Sequence, residues 1–316
     1  MKRFKSEYNL YEYKSSLVAG FPHTFQPFYV EYVNSSLLGD IQVFESNNVY
    51  VCFSIRKKMG IRFVHLISEI YSLNNVIIDF SKFYAELFKC FYVNKIVAVF
   101  PPQHLHNYKE VPFGANKYSL GIINLKMDVS LDELFRRLKP VYRRHIKMAQ
   151  KEGVKIEIGL HLFDEFYDFY QTRMQLNNAV FDQKNTLKQI IEKAPDKIVC
   201  AVASLNGKIE AVILNIHDSD TAFYMWGASG AESHNGSFRL LHWELIQYYH
   251  NLGIKNYSLG GYRSVGEKTK KQENLENFKL GFGAIIIPGF HFNWILKPIQ
   301  YYLYKKVSNV LQFLKK

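Results

Sequence analysis

Two short segments near the end of the chain hold the residue types best suited to chemistry. Tyr257-Ser-Leu-Gly-Gly-Tyr262 reads as a strand ending on Gly260 and Gly261, where a backbone can approach a ligand with no side chains in the way. After a polar stretch, Asn277-Phe-Lys-Leu-Gly-Phe-Gly283 sets Lys279 between aromatic residues and beside two more glycines. A cation held there has little freedom, and it suits an anionic or carbonyl-bearing substrate. It could hold a phosphate or carboxylate, or stabilise the oxyanion of a tetrahedral intermediate. The bland alternative is a surface lysine following a loop that already carries Lys268, Lys270 and Lys271.

A second concentration of charge lies upstream. Arg136, Arg143, Lys147 and Lys151 are spaced by seven, four and four residues, with Arg137 and Arg144 alongside. They share one face if a helix continues through Pro140. Such a face either is simply solvated or contacts phosphates of a polyanion, tRNA or an anionic lipid precursor, with salt-dependent affinity. Tyr224 and Trp226 sit two residues apart on a strand, which places them on one side by alternation, as packing residues or as a substrate wall. No Ser-His-Asp order, metal-ligand spacing or nucleophilic cysteine stands out. His234 and His242 flank the start of a helix and read as polar surface residues. Positioning and electrostatics, with substrate-assisted proton transfer, are therefore expected in place of covalent catalysis.

The elements that must position these groups are mixed α and β. Val49–Arg56, Ile96–Phe100 and Leu120–Lys126 are β-branched and aromatic runs that read as strands. Phe80–Tyr92 carries apolar residues at Phe83, Leu87 and Phe91, a helical spacing. Ser130-Leu-Asp-Glu133 predicts a capping box, Pro140 a break or restart, and Gly153 a helix stop, so the domain boundary is expected at Gly153. Beyond it the sequence predicts helices over 163–175 and 186–193 and strands over 198–204 and 209–216. The strands are joined by an Asn206-Gly207 hairpin turn and followed by a strand over 221–226. A helix over 237–252 and the strand at Tyr257 complete the set.

Length and composition bound the class. A chain of 316 residues, 48% apolar, accommodates two domains, here 1–153 and 154–316. A net charge of +12 implies attraction to something acidic, or a lysine-rich compositional habit. Cys52, Cys90 and Cys200 stand far apart in apolar contexts and read as free buried thiols. The N-terminal charges Lys2, Arg3, Lys5 and Glu7 precede no apolar signal segment, and the apolar run 284–296 is too short to span a bilayer. The expectation is a cytoplasmic protein. The tail 292–316, with Lys297, Lys305, Lys306, Lys315 and Lys316, either packs back on the first domain or rests on an anionic membrane face.

The stretch from Leu131 to Val154, Ala228-Ser229 after an aromatic strand, the Trp243-Glu244 helix, Gly260-Gly261 and Phe278-Lys279 ahead of Gly281-Phe-Gly283 form a familiar order. Together they resemble the FemAB/FemX group of peptidoglycan-bridge aminoacyltransferases and their GNAT-like relatives, from about Leu120 to Phe282. The resemblance implies an α/β fold of two tandem GNAT-like domains, with largely antiparallel mixed sheets flanked by helices. It also implies amide-bond formation on a cell-envelope precursor, with aminoacyl-tRNA or acyl-CoA as donor and no tightly bound cofactor or metal. By the same resemblance Lys279 acts at the reaction centre. Tyr170, Arg173, Tyr224, Trp226, Ser229, Gly260, Gly261 and Phe278 contact substrate, and Arg136, Arg143, Arg144, Lys147 and Lys151 contact tRNA or another polyanion.

One departure weakens acyl-CoA as donor. GNAT enzymes grip its pyrophosphate with a glycine-rich motif at a helix start, whereas this chain has Ser233-His-Asn-Gly-Ser-Phe-Arg239. Three functions remain open. The leading one is FemAB-like transfer to a peptidoglycan precursor. The others are acyl-CoA-dependent N-acylation of an amino sugar in a surface polysaccharide, and a non-catalytic, membrane-peripheral scaffold.

Overall fold

The structure is a computed structural model that describes residues 10–14, 21–73, 77–101, 108–230, 236–263 and 269–313. The expectations at Lys2 to Glu7, Ser233, His234, Lys268, Lys315 and Lys316 lie outside the described residues. The chain folds as two compact units, 1–121 with 288–316, and 122–287.

In the first unit, α1 (Pro27–Leu37) precedes three antiparallel strands, β2 (Asp40–Ser46), β3 (Val49–Lys58) and β4 (Ile61–Leu66). Short strands β1 (Leu10–Glu12) and β5 (Tyr71–Ser72) pair with β2 and β3. Helix α2 (Phe80–Val93) then leads to β6 (Ile96–Phe100), which lies parallel to β4. Asp79 caps α2 by accepting from the Lys82 amide, and Phe83, Leu87 and Phe91 form its buried stripe. Cys52, Cys90 and Cys200 are all buried and free.

The second unit repeats this order. Helices α3 (Leu131–Arg137) and α4 (Pro140–Lys151) follow strand β7 (Asn116–Lys126). After β8 (Lys155–Ile158), α5 (Phe163–Leu176) and α6 (Lys184–Lys193) come three antiparallel strands, β9 (Ile198–Leu205), β10 (Lys208–His217) and β11 (Thr221–Ser229). Helix α7 (Ser237–Asn251) and β12 (Asn256–Arg263), parallel to β11, complete the motif, and α8 (Lys270–Leu280) leads into β13 (Ile285–Ile295). Asn206 and Gly207 both take positive φ, 51° and 76°, as a two-residue hairpin turn requires. Three antiparallel strands, a helix and a parallel strand thus occur twice in one chain, which is the tandem α/β arrangement that the sequence implies.

Two expectations change. The compact units divide at Gly121/Ile122, not at Gly153. Gly153, at φ 84°, ends α4, but Leu134, Leu138, Tyr142, Ile146 and Ala149 belong to the core built around β10 and α7. A C-cap glycine ends a helix without ending a domain. The capping box at Ser130 is only half formed: its hydroxyl accepts from the Glu133 amide, while the Glu133 carboxylate pairs with Arg136 and Arg137.

Candidate functional site

The parallel pair β11/β12 registers only over Thr221–Phe223 and Asn256–Ser258. Both strands run on, to Ser229 and Arg263, so they part and form a wedge. Gly260 lies in the wedge with φ 86°, a backbone conformation that bends β12 at little cost only in glycine. In the first unit the corresponding pair stays registered to His65↔Phe100, at the end of both strands. The open wedge is a feature of the second unit.

Lys279 sits in the last turn of α8 with 8% of its surface exposed. Burial holds its amine down to about 8, partly offset by the Glu276 carboxylate. Its position near a helix C-terminus also favours the charged form. Phe278 beside it stacks on Phe238 of α7, with centroids 5.3 Å apart and planes 8° apart. Phe282 meets Phe278 and Tyr142 edge-on, at 5.3 and 5.2 Å. The Arg239 guanidinium lies 4.6 Å over the Tyr142 ring, and the Tyr142 hydroxyl donates to the Phe278 carbonyl over 3.0 Å. The Lys279 segment thus packs on the start of α4: the Lys139 amide donates to the Gly281 carbonyl over 2.9 Å, and a Cβ on Gly281 would lie 2.3 Å from the Tyr142 ring.

His242 is the functional-site neighbour that sequence reasoning missed. It is fully buried on α7, and burial together with the nearby Lys279 charge pushes it down to about 3, so it stays neutral at physiological pH. Its Nδ1 lies 3.1 Å from the Tyr257 hydroxyl, which accepts from the Asn215 amide over 3.2 Å. The other ring nitrogen, Nε2, is buried with no hydrogen-bond partner among the described residues. The missed signal was spacing: Phe238, His242, Leu245 and Tyr249 fall at i, i+4, i+7 and i+11, the apolar stripe of α7. At its inner end the site thus holds one ammonium that titrates near neutrality and a neutral hydrogen-bonded imidazole. That pairing can hold an anion or oppose a developing oxyanion. No cluster able to hold a metal occurs among the described residues.

The structure gathers only part of the expected set. Tyr224 faces α7, with its ring 5.0 Å from that of His242. Trp226 faces away, its Nε1 donating to Asp182 over 2.8 Å. The expectation that they share a face fails because of a β-bulge: Tyr224 pairs with Asn215 and Trp226 with Leu214, adjacent residues that point to opposite sides. Tyr170 is buried on α5, stacked on Phe166 at 5.5 Å and edge-on to Phe181. Arg173, one turn on, buries an Nε that has no hydrogen-bond partner among the described residues. Ser229 ends β11 opposite Ala211, and Gly261 is exposed with open space where a Cβ would stand.

The basic face is also divided. Pro140 restarts the helix, so Arg136 lies on α3 and the others on α4. Arg143 is turned inward, donating to the Arg136 and Leu138 carbonyls over 2.7 and 2.6 Å. It therefore caps α3 and leaves the exposed cations to Arg136, Arg144, Lys147 and Lys151. At the start of α7, a Cβ on Gly236 would meet the His145 carbonyl at 2.3 Å and Ala149 at 2.7 Å. Close packing of α4 on α7 accounts for this glycine without any pyrophosphate.

Residues 136–278, which include the wedge, Phe278 and all of α4, match the acetyltransferase (GNAT) domain family. This unit is a GNAT-type acyltransferase domain. Among solved structures, FemX matches the acyltransferase with a TM-score of 0.67 at 11% identity, over 88% of this chain and 93% of that one. L-PGS from Bacillus licheniformis matches with 0.55 at 13%, over 89% and 96%. The C-terminal domain of a provisionally named lysylphosphatidylglycerol synthetase from Agrobacterium fabrum gives 0.54 at 13%, over 90% and 95%. At these identities what is shared is the fold. No curated protein sequence matches the chain. Among the described residues no helix is long and apolar enough to cross a membrane.

Proposed function

We propose that this acyltransferase forms an amide on an amine of a cell-envelope precursor, with aminoacyl-tRNA as donor and a peptidoglycan precursor as acceptor. The observation that carries the reading is the buried Lys279 cation beside the parted strands β11 and β12. In this reaction the acceptor nitrogen attacks the ester carbonyl, a C–N bond forms and the C–O bond to the tRNA breaks. The proton lost by the amine passes to the leaving oxygen. The Lys279 ammonium faces the transient oxyanion, where water exclusion makes a single charge effective. Phe278 and Tyr224 wall the site, and Gly260 and Gly261 admit substrate backbone. Arg136, Arg144, Lys147 and Lys151 supply phosphate contacts for the donor. Two structural relatives carry names that support the direction of the reading, FemX and a lysylphosphatidylglycerol synthetase, the latter naming a lipid that bears an amino acid.

A second reading takes acyl-CoA as donor and N-acylates an amino sugar of a surface polysaccharide; the match to an acetyltransferase domain family favours it. Binding of purified protein to charged tRNA and to acyl-CoA, each over a salt series, separates the two. The first reading expects preference for one charged amino acid. It also expects a tRNA salt slope that falls by about 2–3 in Arg144→Ala/Lys147→Ala/Lys151→Ala. Saturable acyl-CoA binding, with tRNA binding indifferent to charging, would replace it with the second.

A further inference from the structure

The last helix, α9 (Pro298–Phe313), lies in the first unit. Its inner side is Tyr301 and Tyr304, packed with Phe63, Val97 and Ala98; the Phe63 and Tyr304 ring centroids are 4.7 Å apart. Ser308 continues that side, half-buried. The opposite side is also apolar. Ile299, Leu303, Val307 and Val310 are 78, 55, 47 and 59% exposed. At about 100° per residue they fall within roughly 80° of arc, turned away from the tyrosines. An apolar stripe facing solvent on a helix whose other stripe is already packed needs an occupant.

The charges around the stripe indicate which one. From Leu280 to Lys316 the chain has five lysines and no aspartate or glutamate. Lys305 and Lys306 lie over the Tyr301 and Tyr302 rings, at 5.4 and 4.8 Å. Their stems run along apolar surface while the ammonium groups stay at its edge. The patch continues beyond the helix, since Lys297 lies 5.3 Å over the ring of Tyr92. Tyr92 belongs to an exposed group at the end of α2 with Phe88 and Val93, and Lys89 and Lys95 are exposed beside it. A second copy of this chain would bring the same cations against each other, on a molecule with net charge +12. An anionic bilayer offers the opposite charge and an apolar layer just beneath it.

We propose that the outer face of α9, extended by Lys297 and the end of α2, docks the protein on an anionic lipid surface. Ile299, Leu303, Val307 and Val310 enter the headgroup–acyl boundary, and Lys297, Lys305 and Lys306 remain among the lipid phosphates. This inference does not depend on the acyl-transfer reading, because it uses none of the residues of that site.

Co-sedimentation of the full chain with vesicles of phosphatidylcholine alone, and with 3:1 phosphatidylcholine to phosphatidylglycerol, tests it. Binding to the anionic vesicles is expected at least tenfold above the neutral ones and weaker at high salt. Each lysine near such a surface contributes roughly fivefold, so Lys305→Glu/Lys306→Glu should lose about 25-fold or more. Leu303→Gln/Val307→Gln, altering exposed residues, should lose about tenfold or more while keeping the wild-type circular dichroism. Equal binding to both vesicles, or full binding by the Leu303/Val307 variant, overturns the proposal. So does a wild-type dimer in sedimentation velocity that this variant converts to monomer, which would make the face a self-association surface. Transfer to a soluble acceptor, measured in parallel, is expected to be unchanged in both variants.

Discussion

Replacing Lys279 by methionine is expected to stabilise the protein while disabling it. The lysine is nearly enclosed, and burial lowers its amine from the ordinary 10.5 to about 8. Below pH 8 it carries a proton in both folded and unfolded chains, and holding that charge out of water costs the folded state roughly 3 kcal/mol. Between about 8 and 10.5 the folded amine is neutral while the unfolded one still binds a proton, so wild-type stability rises with pH. Above that window the cost is gone. Methionine fills similar space without charge, and Lys279→Met should therefore exceed the wild type by up to about 3 kcal/mol at pH 7 and by less than about 1 kcal/mol at pH 10. Urea denaturation at the two pH values, followed by tryptophan fluorescence to which Trp226 and Trp243 contribute, measures both margins. Transfer activity should fall by about 100-fold or more if the ammonium opposes the oxyanion. A variant less stable than the wild type at pH 7, or a margin that does not change with pH, would refute the electrostatic reasoning. Full activity in the same variant would separately refute the role of the lysine and favour the scaffold reading.

Gly236→Ala should destabilise by about 1–3 kcal/mol, because its Cβ would press on the His145 carbonyl at 2.3 Å. Gly261→Ala meets open space and should leave the thermal midpoint unchanged while weakening donor or acceptor binding; a binding constant equal to wild type would remove Gly261 from the site. Arg143→Ala, which frees the Arg136 and Leu138 carbonyls, should cost about 1–2 kcal/mol of stability. Arg144→Ala should stay within about 0.5 kcal/mol of wild type by the same denaturation measurement.

The sequence by itself determined the elements. Alternation and β-branching marked β3, β6 and β9, Asn206-Gly207 fixed a turn whose positive φ values both residues tolerate, and Pro140 and Gly153 bounded α4. These are local signals, set by steric and hydrogen-bonding rules that act within a few residues. Lys279, Phe278 and Gly260 were also legible, because a lysine among aromatics and paired glycines at a strand end are unusual on their own. Tertiary structure alone decided the rest. It assigned α3 and α4 to the second unit through the core they share with α7. It turned Arg143 inward and sent Tyr224 and Trp226 to opposite faces through one bulge. It also buried His242 between Tyr224 and Tyr257 beside Lys279. Each of these depends on which distant segment arrives as neighbour, and a residue's charge state follows from that neighbour more than from its own type. Gly260 marks the bend of β12 in the sequence, but where the register of β11 and β12 ends depends on the helix that joins the strands and on the core beneath.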